Sequence, residues 1–216
     1  MTRAYSVTSI LNTRFKEMQF EGEFRDLMGK PELSGCWFIQ GGTGNGKTTF
    51  LMKMCRYLSN FATIGYNSLE EGVSHALKNQ LRKHNMKELG SRFKVWHKVE
   101  IPDLIAKLKQ PKSPQVIVID TVQYAFASLR EIKGMIDSFP NKLFIIISHE
   151  HGKTPEGTVA VRLKQLAGVK IRIIAFVAFC MSRYLENSAG KPYVIWEEEA
   201  RKFHPFLEQT NTLNIL

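Results

Sequence analysis

With 216 residues, 44% of them hydrophobic and 23% charged, the chain can bury one sizeable core and has the residue usage of an ordinary globular domain, which excludes fibrous and disordered classes. A formal charge of +10, from 30 Lys and Arg against 20 Asp and Glu, makes polyanions candidate partners, although a solvated basic surface carries the same charge. The apolar stretches are strand-sized and broken by charges, and no run of signal-peptide length follows the N-terminal Met, so no membrane partner is expected.

In chain order, residues 1–34 read as a helical or irregular extension, residues 35–207 as the core domain, and residues 208–216 as a frayed tail. Within the core, strands are predicted over 36–40, 62–67, 93–97, 116–120 and 143–148, with helices over 47–60, 73–85, 102–110 and 127–139 between them. That alternation is the pattern of a single α/β domain whose largely parallel sheet carries helices on both faces. After residue 169 the rhythm changes, and runs 169–176, 178–184 and 193–196 leave no room for helices between them. They read as antiparallel strands added at the C-terminal edge of the sheet, with the turn-rich segment 186–192 as a hairpin connection. Three cysteines, Cys36, Cys55 and Cys180, lack metal-ligand spacing and sit among apolar residues, which predicts buried thiols in a reducing compartment. The cytoplasm is the expected location, and a virus-encoded protein working in a host cell would read the same way. Basic residues gather between Lys78 and Lys98 and again between Lys153 and Arg172.

Gly41, Gly42, Thr43, Gly44, Asn45, Gly46, Lys47 and Thr48 match the pattern G-x-x-x-x-G-K-[ST] at every fixed position, directly after a strand and directly before a helix that continues through Thr49. Glycines let such a loop fold around phosphate with its N–H groups inward, and the helix N-terminus adds partial positive charge. Gly41 to Thr49 are therefore the expected nucleotide-binding residues, Lys47 reaching the β and γ phosphates and the Thr48 hydroxyl ligating Mg2+. Val116-Ile117-Val118-Ile119 is a buried strand that delivers Asp120 to the carboxyl edge of the sheet, making Asp120 the second metal ligand. Hydrolysis also needs an acid to orient water, and Thr121 stands where many ATPases carry one. The strand over 62–67 ends at Ser68-Leu69-Glu70-Glu71, so Glu70 is the expected general base, with Glu71 as its substitute. The expected ligands are ATP and Mg2+; a guanine-specific Asn/Thr-Lys-x-Asp element is missing, and the base pocket stays unassigned.

In this order these residues resemble the RecA-like ATPases, in particular the branch with KaiC, RadA-type repair proteins and the ATPase domain of DnaB-like helicases. The resemblance runs from about Gly35 to Trp196 and implies a catalytic Glu after the second strand, as at Glu70, and Asp followed by Ser or Thr, as at Asp120-Thr121. It implies a polar sensor at the end of the next strand, which is His149; a metal site at His149 and His151 lacks further ligands at recognisable spacing. The polar loop 150–158, whose only Lys or Arg is Lys153, falls where the family carries a DNA-contacting loop, and an ordinary surface connection would have the same composition. Family members act as rings or filaments in which a neighbour donates Arg or Lys to the γ-phosphate. Arg183 aligns with that finger by strand order, and Lys170-Ile171-Arg172 has the literal Lys-x-Arg spacing one strand earlier.

The resemblance thus implies a homo-oligomeric ATPase in DNA replication, recombination or repair, with single-stranded nucleic acid as partner. The alternative is a KaiC-like regulatory ATPase acting on proteins. A small-molecule kinase lacks an arginine-rich lid, and an AAA+ loader would carry an acid after Asp120 and a C-terminal helical lid.

Overall fold

The computed structural model describes residues 4–205 and Leu207; the tail expected from Glu208 onward lies outside the described residues. Its centre is a sheet of nine strands: β1 (Gly35–Gly41), β2 (Ile64–Ser68), β3 (Phe93–His97), β4 (Val116–Asp120), β5 (Leu143–His151), β6 (Thr154–Pro155), β7 (Val169–Ile174), β8 (Val177–Ser182) and β9 (Tyr193–Val194). The order across the sheet is β3-β2-β4-β5-β1-β7-β8-β9, with β6 paired only to β5. The helices are α1 (Val7–Leu11), α2 (Gly22–Met28), α3 (Lys47–Leu58), α4 (His75–Lys83), α5 (Ile101–Leu108), α6 (Leu129–Ser138), α7 (Thr158–Leu166) and α8 (Glu197–Arg201).

Local chemistry sets several of the boundaries. α6 opens on a capping box in which Ser128 and Glu131 satisfy each other's backbone N–H groups, and α4 starts where Ser74 Oγ accepts from Leu77 N at 3.0 Å. Pro102 sits in the first turn of α5, where its missing N–H leaves no helical bond unmade. Strands β1, β4 and β5 are buried on both faces, as their near-continuous apolar sequences require. Alternate residues of β1 feed two cores: Trp37 and Ile39 pack with α2, α3 and α4, while Phe38 packs with α5, α6 and α7.

The segment before Ser34 contributes to the first of these cores. Phe20, Phe24, Leu27 and Met28 are buried there, and the Phe24 ring stacks on Tyr57 at 4.6 Å and on Tyr193 at 5.1 Å.

Two expectations about the second half need correction. The run beginning at Val169 was expected to be antiparallel, but β7 pairs parallel with β1, and antiparallel pairing begins at β8. The reason is α7, a helix absent from the predicted elements, which supplies the crossover that a parallel connection needs. Its buried residues Ala160 and Leu163, followed by Ala167, recur at helical spacing and carry the signal. The expected polar loop 150–158 is largely ordered: β5 runs on to His151 and turns into β6, with Glu150 opposite Pro155 and His151 opposite Thr154.

Candidate functional site

The carboxyl ends of β1, β2, β4 and β5 meet at one edge of the sheet, and the register places Gly41 beside His149 and Ser68 beside Asp120. From β1 the chain curls through Gly42–Gly46 into α3. Gly41 has no room for a side chain, because a Cβ there would lie 2.7 Å from Ile173 O on β7. Gly46 has a φ of +93°, in the left-handed region that lets the loop turn into the helix. The Lys47 ammonium lies inside this curl, donating to Gly41 O at 2.8 Å and Gly42 O at 2.9 Å. Burial holds the Lys47 pKa below its ordinary value, against the raising influence of Glu70, Asp120 and Glu150.

Glu70 reaches the same edge because its chain is pinned to the end of β4: Leu69 N and Glu70 N donate to Asp120 O at 2.6 and 3.2 Å. Its Oε2 accepts from Thr121 Oγ1 at 2.9 Å and lies 3.1 Å from His149 Nε2, with 37% of the side chain exposed to the cleft. Asp120 accepts from the Tyr66 hydroxyl and from Thr121 Oγ1 at 3.1 Å, and the Asp120–Thr121 peptide is cis. Burial raises the Asp120 pKa above the usual aspartate value; the bonds from Tyr66 and Thr121 oppose that shift, and the charges of Glu70 and Glu71 add to it. Tyr66 is pushed well above the ordinary phenol, first by burial and then by the Asp120 charge beside it. Glu71 takes no part in this cluster: it is exposed and accepts from Ser74 Oγ at 3.2 Å.

A glutamine that sequence reasoning passed over ties the cluster to the hairpin. Gln123 Nε2 donates to Ser148 Oγ at 2.9 Å and to Glu156 O at 2.7 Å, while its Oε1 accepts from His149 N at 3.3 Å. Tyr124 meets the His149 ring edge-on at 6.3 Å. Tyr66 was likewise missed. In a strand its pattern is that of a core aromatic, and only the pairing of β2 with β4 brings its hydroxyl to Asp120.

The hairpin is anchored from below. Gln40 Nε2 donates to Glu150 Oε2 at 2.8 Å and Lys153 O at 3.2 Å, and Arg172 grips Glu150 through Nε at 2.9 Å and Nη2 at 3.2 Å. Burial alone would raise the Glu150 pKa, but the bonds from Arg172 and Gln40 outweigh it and hold the carboxyl below its ordinary value. Arg172 is thus committed within its own chain, Lys153 is exposed at the hairpin tip, and Lys170 is half-buried on β7. Arg183 stands apart. Its backbone N donates to Gly168 O, and Gly168 N to Cys36 O, which puts it at the opposite edge of the sheet from Lys47.

Lys47, Thr48, Thr49, Glu70, Asp120 and His149 line one cleft of about 370 Å³. Among the described residues no group of three His, Cys, Asp or Glu side chains is placed to hold a metal. What the cleft offers is a hydroxyl at Thr48 and carboxylates at Asp120 and Glu70. That all-oxygen set fits magnesium, which keeps waters and takes the rest of its shell from phosphate rather than from a protein cage. The three cysteines are buried and unpaired, and burial pushes the thiols of Cys36 and Cys180 up to about 12.

No protein-family model and no curated protein matches the chain. Among solved structures it is similar to the ATPase domain of a DnaB-like helicase, with a TM-score of 0.58 at 14% identity over 82% of this chain and 87% of that one. It is also similar to the flagellar accessory protein FlaH from Methanocaldococcus jannaschii, with a TM-score of 0.56 at 13% identity over 84% of this chain and 92% of that one. At such identity the likeness is one of fold: the chain has the RecA-like P-loop ATPase fold, a mostly parallel sheet with antiparallel strands at its edge.

Proposed function

We propose that the chain binds ATP with magnesium at Gly41 to Thr49 and hydrolyses it, as a subunit of an assembly that acts on nucleic acid in replication, recombination or repair. The observation that carries this reading is the meeting of Lys47, Glu70, Asp120 and His149 in one cleft at the carboxyl edge of the sheet.

Each residue then has a task. Lys47 exchanges its two loop carbonyls for phosphate oxygens, and its depressed pKa still leaves it charged at neutral pH. Thr48 and Asp120 hold the magnesium, which when bound bridges phosphate oxygens and neutralises the charge that develops on them. Glu70, part-exposed to the cleft, accepts a proton from the attacking water, while Thr121 and His149 fix the orientation of its carboxylate. His149 also senses the nucleotide, since Gln123 joins it to the hairpin. Arg183 lies too far from its own Lys47 to help it and is assigned to the site of a neighbouring subunit.

Nucleic acid is favoured by the +10 charge and by the exposed run Lys78, Arg82, Lys83, Lys87, Lys94 and Lys98. A second reading, a KaiC-like ATPase that regulates protein partners, is favoured by the hairpin itself, which is tied down by Gln40, Arg172 and Gln123 and offers only Lys153 as an exposed cation. No helix among the described residues is long and apolar enough to cross a membrane, and a cytoplasmic location is part of the proposal.

The test is phosphate release from ATP with magnesium, with and without single-stranded DNA, at several protein concentrations. Turnover that DNA stimulates, that rises with assembly and that disappears in Glu70→Gln supports the first reading. DNA-independent turnover selects the second, and no turnover under any condition overturns both.

A further inference from the structure

One end of the cleft is occupied by the groups assigned to phosphate and water; the other end is built from residues that this assignment leaves idle. There the turn between β7 and β8 is clamped to the phosphate loop twice. Ala175 N donates to Asn45 Oδ1 at 2.6 Å, and Phe176 N donates to Asn45 O at 3.1 Å. Phe176 is thereby fixed against Gly46, where an added Cβ would lie 3.0 Å from its ring. Trp196 is fixed in turn: Ile195 N donates to Phe176 O at 2.8 Å, Lys53 Nζ donates to Ile195 O at 2.7 Å, and the indole meets Phe176 edge to face at 5.7 Å. Despite this support the tryptophan stays 46% exposed and lines the cleft. Facing it across the cleft, α4 places Lys83 Nζ 5.4 Å from the centre of the Trp196 ring. One turn earlier on α4 is Gln80, whose Oε1 is buried and has no hydrogen-bond partner.

A buried acceptor without a donor is uncommon and asks for a reason, and a rigid, half-exposed indole beside a phosphate loop offers a face on which any base can stack. We propose that Trp196 and Gln80 form the nucleobase subsite of this cleft and select adenine. The base takes the place over the indole that the Lys83 ammonium holds in the empty cleft. Gln80 Oε1 accepts a hydrogen bond from the exocyclic amine of adenine. Guanine carries a carbonyl oxygen at the corresponding position, so its binding would set two acceptors against each other and leave both unsatisfied. The proposal rests on the reading of Gly41 to Thr49 as a triphosphate site, and the test separates the two.

Binding of ATP, GTP and inorganic tripolyphosphate, each with magnesium, is measured by titration calorimetry on the full chain and on Trp196→Ala, Trp196→Phe and Gln80→Leu. Tripolyphosphate reads the phosphate end alone. ATP is expected to bind about tenfold or more tighter than both tripolyphosphate and GTP, since stacking and one satisfied acceptor are each worth at least that factor. Trp196→Ala should bring ATP down toward tripolyphosphate, Trp196→Phe should restore it, and Gln80→Leu should make ATP and GTP alike, all with tripolyphosphate binding retained. Equal affinity for ATP and GTP in the unaltered chain, or undiminished ATP binding in Trp196→Ala, overturns the subsite while leaving the phosphate site standing. Failure of the unaltered chain to bind either ATP or tripolyphosphate overturns both.

Discussion

Replacing Arg172 with Met strands a charge beneath the hairpin. The Glu150 side chain is only 7% exposed, and its partners are the Arg172 guanidinium, at 2.9 and 3.2 Å, and the Gln40 amide at 2.8 Å. Breaking a fully buried pair typically costs about 3–5 kcal/mol, because the remaining carboxylate has neither water nor counter-ion. Arg172 is itself 28% exposed, so water can partly take its place and about 2–3 kcal/mol is the better figure here. For a chain of this length, roughly 2–4 °C of melting temperature accompanies each kcal/mol, which gives a fall of roughly 4–12 °C. Thermal unfolding followed by circular dichroism at pH 7.5 measures it. Glu150→Gln/Arg172→Met, which removes both charges, should recover most of the loss.

The pH dependence follows from the Glu150 pKa, which the folded state holds below its ordinary value. A depressed carboxyl stabilises the fold above its unfolded pKa, about 4.3, and loses that contribution as the pH falls through the lower folded value. Without Arg172, burial acts unopposed except by Gln40, so the stranded carboxyl takes up a proton readily and ceases to destabilise on acidification. The gap between Arg172→Met and the unaltered chain should therefore be widest near neutrality and close below about pH 4. A melting temperature within a degree of the unaltered chain at pH 7.5, or a double variant as unstable as Arg172→Met, would refute the pairing as the anchor of the hairpin.

Glu70→Gln should retain ATP binding and lose about 10²–10⁴ in turnover, the usual range for a general base, as read by single-turnover phosphate release; unchanged turnover would remove Glu70 from that role. Lys47→Ala should abolish nucleotide binding in calorimetry without lowering the melting temperature, since the ammonium bonds only carbonyls of its own loop. Asp120→Asn should raise the melting temperature at pH 7.5 by a few degrees while ending turnover. Burial lifts the Asp120 pKa above its unfolded value, so the folded state is penalised once the group ionises, and the gain should vanish on acidification to where Asp120 is protonated in both states. Gly46→Ala, forced into a φ of +93° with its Cβ 3.0 Å from Phe176, should cost about 1–3 kcal/mol in chemical denaturation.

Much of the architecture could be read from local pattern. The strands at 93–97 and 116–120 were predicted to the residue, and the phosphate loop was legible because its chemistry lies in consecutive positions between a strand and a helix. Asp120 and Glu70 were legible for a related reason: a parallel strand delivers whatever follows it to the carboxyl edge of the sheet. The crossover helix Thr158–Leu166 was not, since a nine-residue helix behind a polar turn gives a short periodic signal, and without it β7 could not be read as parallel. Nor could sequence order separate Glu70 from Glu71; that was decided by backbone pinning to Asp120 O, which turns Glu70 toward Thr121 and His149 and leaves Glu71 in solvent.

The remaining contacts join residues far apart in the chain. Tyr66 with Asp120, Gln123 with His149, Arg172 with Glu150 and Gln80 facing Trp196 are pairings that no local periodicity encodes, because each depends on how strands are ordered and which helix crosses which face. The sequence alone determined the kind of fold and the residues strung along its phosphate loop. Packing decided which distant polar groups face one another in the cleft, because side-chain pairing across a sheet is set by register and burial rather than by neighbours in the chain.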